Sequence, residues 1–266
     1  TLYESGKVMF QGISADIDAN MWKDLESHFN NRDIDQELKE KNDKVNDKTY
    51  YYYDAIGSDE VGTGDFFGPI IVSATLVNKD NRKLLEDLKI MDSKKMTDDK
   101  IRRCAPILMS KIPYVTFTLS NKKYNELSNK GFNMNKIKAI LHNRVLYELS
   151  NKGIPYHKII VDQFTTPRSY FSYLKQENIT DKVTKITFLT KGESKHLSVA
   201  AASVISRYLF LQEMDKLSQK YGITIPKGAG TNVDAIGKDI VKKYGKLELD
   251  NIAKTNFKNT EKILNN

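Results

Sequence analysis

Two neighbouring carboxylates, Asp59 and Glu60, lie within the run Gly57-Ser-Asp-Glu-Val-Gly-Thr-Gly-Asp-Phe-Phe-Gly-Pro69. Adjacent residues of a regular strand point to opposite faces, so both acids serve one site only if the chain bends there. Gly62 and Gly64 permit the backbone angles of such a bend, and they let amides approach a phosphate or sugar. No Gly-Lys-Ser/Thr closes the run, which excludes a nucleotide-binding P-loop. An ordinary acidic hairpin turn is the alternative reading of the same residues.

Two further acids stand where chemistry is built. Asp162 ends the apolar run Ile159-Ile160-Val161. A carboxylate there is costly to bury unless it is paired or bound to metal, although Asp also opens turns, here toward Thr165 and Pro167. Glu193 stands at or just before the first turn of a long helix that begins near residue 197, where the helix dipole favours a carboxylate. Capping explains Glu193 without excluding metal. His196 reads as a structural residue or a neighbour of substrate, and His28, His142 and His157 lack ligand-like spacing. Oxygen donors without His or Cys clusters point to Mg²⁺ or Mn²⁺ rather than zinc. Four carboxylates from separate segments suit two such ions and in-line displacement at phosphorus.

The elements that must position these acids follow from patterning. Residues 50–58 and 70–77 read as strands separated by Gly62, Gly64, Gly68 and Pro69, hence a hairpin. Residues 114–119, 158–162 and 184–189 are further strands, and residues 134–149 and 197–219 are helices, the first capped by Asn133. Alternating strands and helices after a hairpin predict an α/β fold with a mixed sheet flanked by helices. Ahead of it, residues 4–11 read as a hairpin or strand edge. Residues 18–30 read as a helix with Met21, Trp22, Leu25 and Phe29 on one face. The charged stretch 31–48 suits a linker.

The 266 residues carry a net charge of +8, unevenly spread. Residues 1–50 hold 7 Lys/Arg against 11 Asp/Glu, a net of −4, which leaves +12 on the remainder. A basic main domain is the footprint of a polyanionic partner. No apolar run approaches the ~20 residues that span a bilayer, so no membrane role is expected. The first residues lack the features of a signal peptide. The single cysteine, Cys104, excludes an internal disulfide, reads as structural, and suits a reducing cytoplasm.

Gly57 to Pro69, Met91-Asp-Ser-Lys-Lys-Met96, Val161-Asp-Gln163 and Ser198-Val-Ala-Ala-Ala-Ser-Val-Ile-Ser206 follow one another as in type 2 ribonucleases H, and the chain resembles that family over about residues 50–245. Gly62-Thr63-Gly64, Glu193 and Pro226-Lys-Gly-Ala-Gly230 resemble the ribonuclease HIII branch, whereas ribonuclease HII carries Gly-Arg-Gly and Asp at the first two places. Ser5-Gly-Lys-Val-Met-Phe-Gln-Gly12 is similar to the later part of that branch's TATA-binding-protein-like domain. The resemblance implies a ribonuclease H-like fold over 50–266, a linker at 31–49, and a partial TATA-binding-protein-like segment at 1–30. It also implies a monomer that hydrolyses the RNA strand of RNA/DNA hybrids, leaving 5′-phosphate and 3′-hydroxyl ends. Position by position, Asp59, Glu60, Asp162 and Glu193 match the catalytic, metal-binding carboxylates. Gly62, Thr63 and Gly64 match the loop that senses ribose 2′-hydroxyls, the group that separates RNA from DNA. Lys94 and Lys95 become candidates for substrate contact. A non-catalytic nucleic-acid module and a DNA nuclease of the same fold are the competing readings, since fold alone does not set substrate.

Overall fold

The computed structural model describes residues 8–12, 14–35, 37 and 49–265, in two contact units divided between Asp47 and Lys48. In the first unit, helix α1 (Ala15–Asn30) starts with Asp16 and Asp18 in its first turn and stops at Asn31, which is left-handed with φ of 49°. Ile17, Met21, Leu25 and Phe29 are exposed along it, and no residue of α1 is buried. Residues 4–7 of the expected hairpin and 36 and 38–48 of the expected linker lie outside the described residues.

The second unit is built on strands β1 (Ala55–Val61), β2 (Ile70–Val77), β3 (Tyr114–Leu119), β4 (Lys158–Asp162) and β5 (Thr187–Leu189). They form one sheet in the order β3-β2-β1-β4-β5. The pairs β1–β2 and β2–β3 are antiparallel, whereas β1–β4 and β4–β5 are parallel. The helices are α2 (Lys79–Asp87), α3 (Asp98–Lys111), α4 (Asn121–Asn129), α5 (Met134–Ser150), α6 (Pro167–Gln176), α7 (Gly192–Lys195), α8 (Leu197–Tyr221), α9 (Thr231–Tyr244), α10 (Glu248–Ile252) and α11 (Lys258–Leu264), with a 3₁₀ turn at Ser93–Lys95.

Every residue of β2 is buried, as its unbroken run of apolar and small residues requires of a strand covered on both faces. One face packs Ile56, Val72 and Leu76 against Ile137, Leu141, Val145 and Leu149 of α5. The other face meets α8, whose Ala200 and Ala201 let it lie close to the sheet. Here Thr75 Oγ1 donates to the Ser198 carbonyl at 2.7 Å, and Ser206 Oγ donates to Ser73 Oγ at 2.8 Å.

Two strand boundaries differ from expectation. Tyr50–Tyr53, read as the start of a strand from their β-propensity, form a turn instead, and β1 begins at Ala55. Their carbonyls serve tertiary contacts: that of Tyr52 accepts Arg82 Nη2 at 2.9 Å, and that of Tyr53 accepts His196 Nε2 at 3.0 Å. β5 is shorter than the expected 184–189 and pairs with β4 only over Thr187–Leu189.

Candidate active site

Strand alternation distributes the residues around the first two acids. Gly57 and Asp59 face α8, while Ser58 and Glu60 face α5. The expected bend is absent. β1 runs through both acids in regular register, with Asp59 opposite Ser73 and Glu60 opposite Val72. Pairing with β2 holds the backbone straight, so the glycines turn the chain only after Val61. Gly62 has φ of 96°, and a Cβ on it would lie 2.1 Å from the Pro69 carbonyl oxygen, so only glycine fits there. Gly64 faces open space and Thr63 is half-buried, leaving this part of the loop free to meet a ligand.

Asp59 accepts from the Glu60 amide at 2.7 Å and from Ser203 on α8. Ser203 also bonds Ser93 at 2.6 Å, which ties the 3₁₀ turn of Lys94 and Lys95 to the same spot. Burial, then the charges of Glu60 and Asp162, push the Asp59 carboxyl well above its ordinary range. Partial solvent access moderates that penalty.

Glu60 has a different environment. Its carboxylate pairs with Lys138 and bonds His142 Nε2 at 2.8 Å, while His142 Nδ1 bonds Ser58 Oγ at 2.8 Å. Burial would raise its pKa, but His142 and then Lys138 outweigh that and hold it down to about 2. His142, given no role by its sequence spacing, is therefore part of the site's support. Lys138 and His142 stand one helical turn apart on α5, and Phe164 stacks on the imidazole with centroids 5.1 Å apart. The i,i+4 spacing was visible in the sequence, but its target 78 residues upstream was not. His142→Ala strips Ser58 of its buried partner and is expected to cost about 1–3 kcal/mol. Urea unfolding measures this, and an unchanged midpoint would refute the role.

Asp162 closes β4, which pairs with β1 only as far as Ser58–Val161. One position further, Asp59 and Asp162 are the next residues on adjacent parallel strands. Asp162 Oδ1 accepts the Gly192 amide at 2.9 Å, and Glu193 follows directly. Glu193 lies just before the long helix, as expected, on α7, a separate single turn, and His196 caps α8. His196 Nδ1 accepts from the Ser198 amide at 3.0 Å and Nε2 lies 3.0 Å from the Tyr53 carbonyl, contacts that fit the neutral Nε2–H tautomer. Burial lowers its pKa to about 4, so it stays neutral and structural.

Glu193 Oε2 is buried without a hydrogen-bond partner. Burial, then the charge of Asp162, raises the Glu193 carboxyl. Lys94, like Lys95, is exposed but faces this group: partial desolvation lowers its pKa, and Asp59, Asp92, Glu193 and Asp162 together raise it. Asp92, also missed in the sequence, caps the turn by accepting the Lys94 amide at 2.9 Å. Among the described residues no three His, Cys, Asp or Glu side chains are gathered closely enough to grip an ion as they stand, and Glu60 is held by α5. The residues nonetheless fit a divalent cation. Asp59, Asp162 and Glu193 are hard oxygen donors that repel one another, and one buried oxygen lacks any partner.

The family model described as Ribonuclease HII matches residues 56–260. The chain belongs to the type 2 ribonuclease H family, on its ribonuclease HIII branch. Ribonuclease HIII of a Bacillus cereus strain is 42% identical over 99% of this chain and 85% of its own length. The enzyme of a Bacillus mycoides strain is 41% identical over 98% and 84%. The crystal structure of Bst-RNase HIII in complex with Mn²⁺ superposes with a TM-score of 0.78 at 37% identity, covering 100% of this chain and 85% of that one. Aquifex aeolicus RNase H3, at 22% identity and a TM-score of 0.63 over 96% and 82% of the two chains, shares the fold. As a type 2 ribonuclease H, the chain is an endonuclease and a hydrolase. Among its described residues no helix is long and apolar enough to cross a membrane.

Proposed function

We propose that this ribonuclease H hydrolyses the RNA strand of RNA/DNA hybrids at the carboxylate cluster, with Asp59, Glu60, Asp162 and Glu193 as its catalytic, metal-binding residues. The observation that carries the assignment is the unpartnered, buried Glu193 Oε2 beside Asp162, within an acidic group that faces one lysine. A buried carboxylate oxygen without a partner calls for one, and beside two further acids a cation is the partner whose charge fits. The Mn²⁺ complex of Bst-RNase HIII supports a divalent ion in a related enzyme. Two Mg²⁺ or Mn²⁺ ions held there would activate water and neutralise charge developing at phosphorus, in the chemistry that leaves 5′-phosphate and 3′-hydroxyl ends.

The chain's own residues then divide the work. Asp59, Asp162 and Glu193 would hold the ions, and Glu60, paired with Lys138 and His142, would be the fourth carboxylate available to them. Gly62, Thr63 and Gly64 offer backbone to the ribose 2′-hydroxyls of the RNA strand. Lys94, and beside it Lys95, meets the phosphates, and engagement of a phosphate would draw Lys94 off the carboxylates. The proposed organisation is a catalytic domain at 50–266, a linker at 31–49 and a partial TATA-binding-protein-like segment at 1–30. The reading takes the enzyme as a monomer of the bacterial cytoplasm, which the single Cys104 suits.

Four labelled duplexes test the substrate: an all-RNA strand on DNA, four ribonucleotides within DNA, one ribonucleotide within DNA, and duplex DNA with no ribonucleotide. The first two are expected to be cut with Mg²⁺ or Mn²⁺ present, and the third poorly. Equal cutting of duplex DNA would overturn the hybrid reading, and efficient cutting at a single ribonucleotide would overturn the HIII-like specificity.

A further inference from the structure

The loop between β1 and β2 is fastened by the far end of the chain. The Lys254 amide donates to the Phe66 carbonyl at 2.8 Å, the Gly68 amide donates to the Ile252 carbonyl at 3.0 Å, and Phe67 bridges to Ala253. From the same segment the Lys254 side chain enters the loop. It is fully buried, and Nζ donates to the carbonyls of Asp65 at 2.8 Å and Gly68 at 2.6 Å. Asn121 Nδ2 donates to the same Gly68 oxygen at 2.8 Å, and the Gly228 amide bonds the Asp65 carboxylate at 2.6 Å.

A buried ammonium ordinarily needs a carboxylate within reach. Among the described residues none forms an ion pair with Lys254. Burial draws its pKa down to about 7, opposed only by the charge of nearby Asp65. A methionine would fill the same space without that penalty. What the ammonium adds is a link between two carbonyls three residues apart, which closes the loop on itself. The loop's other end is fixed by Gly62 against Pro69. Between the anchors lie Thr63 and the exposed Gly64.

We propose that Lys254 is a positioning residue for hybrid recognition: by joining the carbonyls of Asp65 and Gly68 it holds the Gly62–Gly68 loop in the shape that meets the RNA strand. This rests on the proposed contact between that loop and the ribose 2′-hydroxyls. Lys254 touches neither substrate nor the carboxylates; it acts through the loop. Its effect therefore falls on binding rather than on the chemical step.

The test is Lys254→Met in the full chain, with KM and kcat for a hybrid substrate measured alongside amide hydrogen exchange. The expected result is a cooperatively folded variant with KM raised about tenfold and kcat within about twofold. Exchange is expected to quicken at residues 62–68 and not at 158–162. A folded variant with unchanged KM, or with a lower melting temperature but unchanged loop exchange, overturns the proposal. Should Lys254→Met fail to fold, Asn121→Ser removes the other side-chain donor to the Gly68 carbonyl. It is expected to move KM and loop exchange the same way, and no movement in either overturns the idea. The wild-type enzyme tests the underlying reading separately, on hybrids with deoxyribonucleotides flanking the cut. If their KM equals that of the all-ribonucleotide strand, the loop does not read ribose, whatever Lys254 does to its exchange.

Discussion

Asp59→Asn is expected to abolish hydrolysis and, in the absence of divalent metal, to raise the melting temperature. Asp59 is half-buried, and this desolvation, then the charges of Glu60 and Asp162, raise its pKa well above the ordinary value. A raised carboxyl pKa means that the folded state holds the proton more tightly than the unfolded chain does. The stability this represents is fully present below the unfolded value of about 3.9 and is lost as pH climbs through the folded value. Once ionised, Asp59 is a net cost, which asparagine removes while keeping the shape. Each 1 kcal/mol relieved is worth about 2–4 °C in a domain of this size.

Metal reverses the order. An ion bound only by the folded wild type stabilises it by about 2.7 kcal/mol at a hundredfold excess over Kd, and the variant gains less. Cleavage should fall by at least about 10³-fold, since the proposed assignment has Asp59 both hold the ion and face the reacting phosphate. Melting curves with and without Mg²⁺, beside a hybrid-cleavage assay, check both parts. A variant that melts at or below wild type in EDTA shows that no repulsion is stored at Asp59. Retained cleavage in rigorously purified protein removes Asp59 from the site.

Gly57→Val is expected to prevent folding, and Gly57→Ala to cost about 1–3 kcal/mol, as overpacking does. A Cβ on Gly57 would lie 2.3 Å from Ser198 Oγ and 2.5 Å from the Val199 amide nitrogen. Neither atom can retreat cheaply. Ser198 Oγ lies 2.7 Å from His196 Nδ1, the Ser198 carbonyl accepts Thr75 Oγ1 at 2.7 Å, and Val199 is in the helix backbone. Lifting α8 off the sheet would also carry Ser203 away from Asp59. Gly64→Ala is the control, because its Cβ would enter open space. Its unfolding midpoint in urea should match wild type while that of Gly57→Ala falls. Matching midpoints for Gly57→Ala and wild type would refute the close contact.

β2 and β4 were legible because burial on both faces leaves unbroken apolar runs, and the half-buried edge strand β3 was legible from its β-branched and aromatic residues. All three fall on the residues their composition indicates, and α5 and α8 begin at the expected Met134 and Leu197. The family was legible from its ordered motifs, now supported by a match over residues 56–260. β1 was harder, because aromatic Tyr50–Tyr53 carry strand propensity but their carbonyls are used by Arg82 and His196. His142 was illegible for a related reason. Its partners Ser58 and Glu60 lie 84 and 82 residues away, and no local spacing encodes such a contact.

The four carboxylates show where the division lies. Their identity and order, the glycines that end β1, and their character as hard oxygen donors are properties of residue type and spacing, and the sequence determined them by itself. Which face each acid takes was decided by pairing across the sheet, which keeps β1 straight and sends Asp59 to α8 and Glu60 to α5. The same packing set Glu193 on its own turn, brought Lys94 to the acids through Ser93 and Ser203, and drove Lys254 into the glycine loop from near the C-terminus. Charge and burial act through space, so the tertiary structure alone could decide which of these groups share an environment.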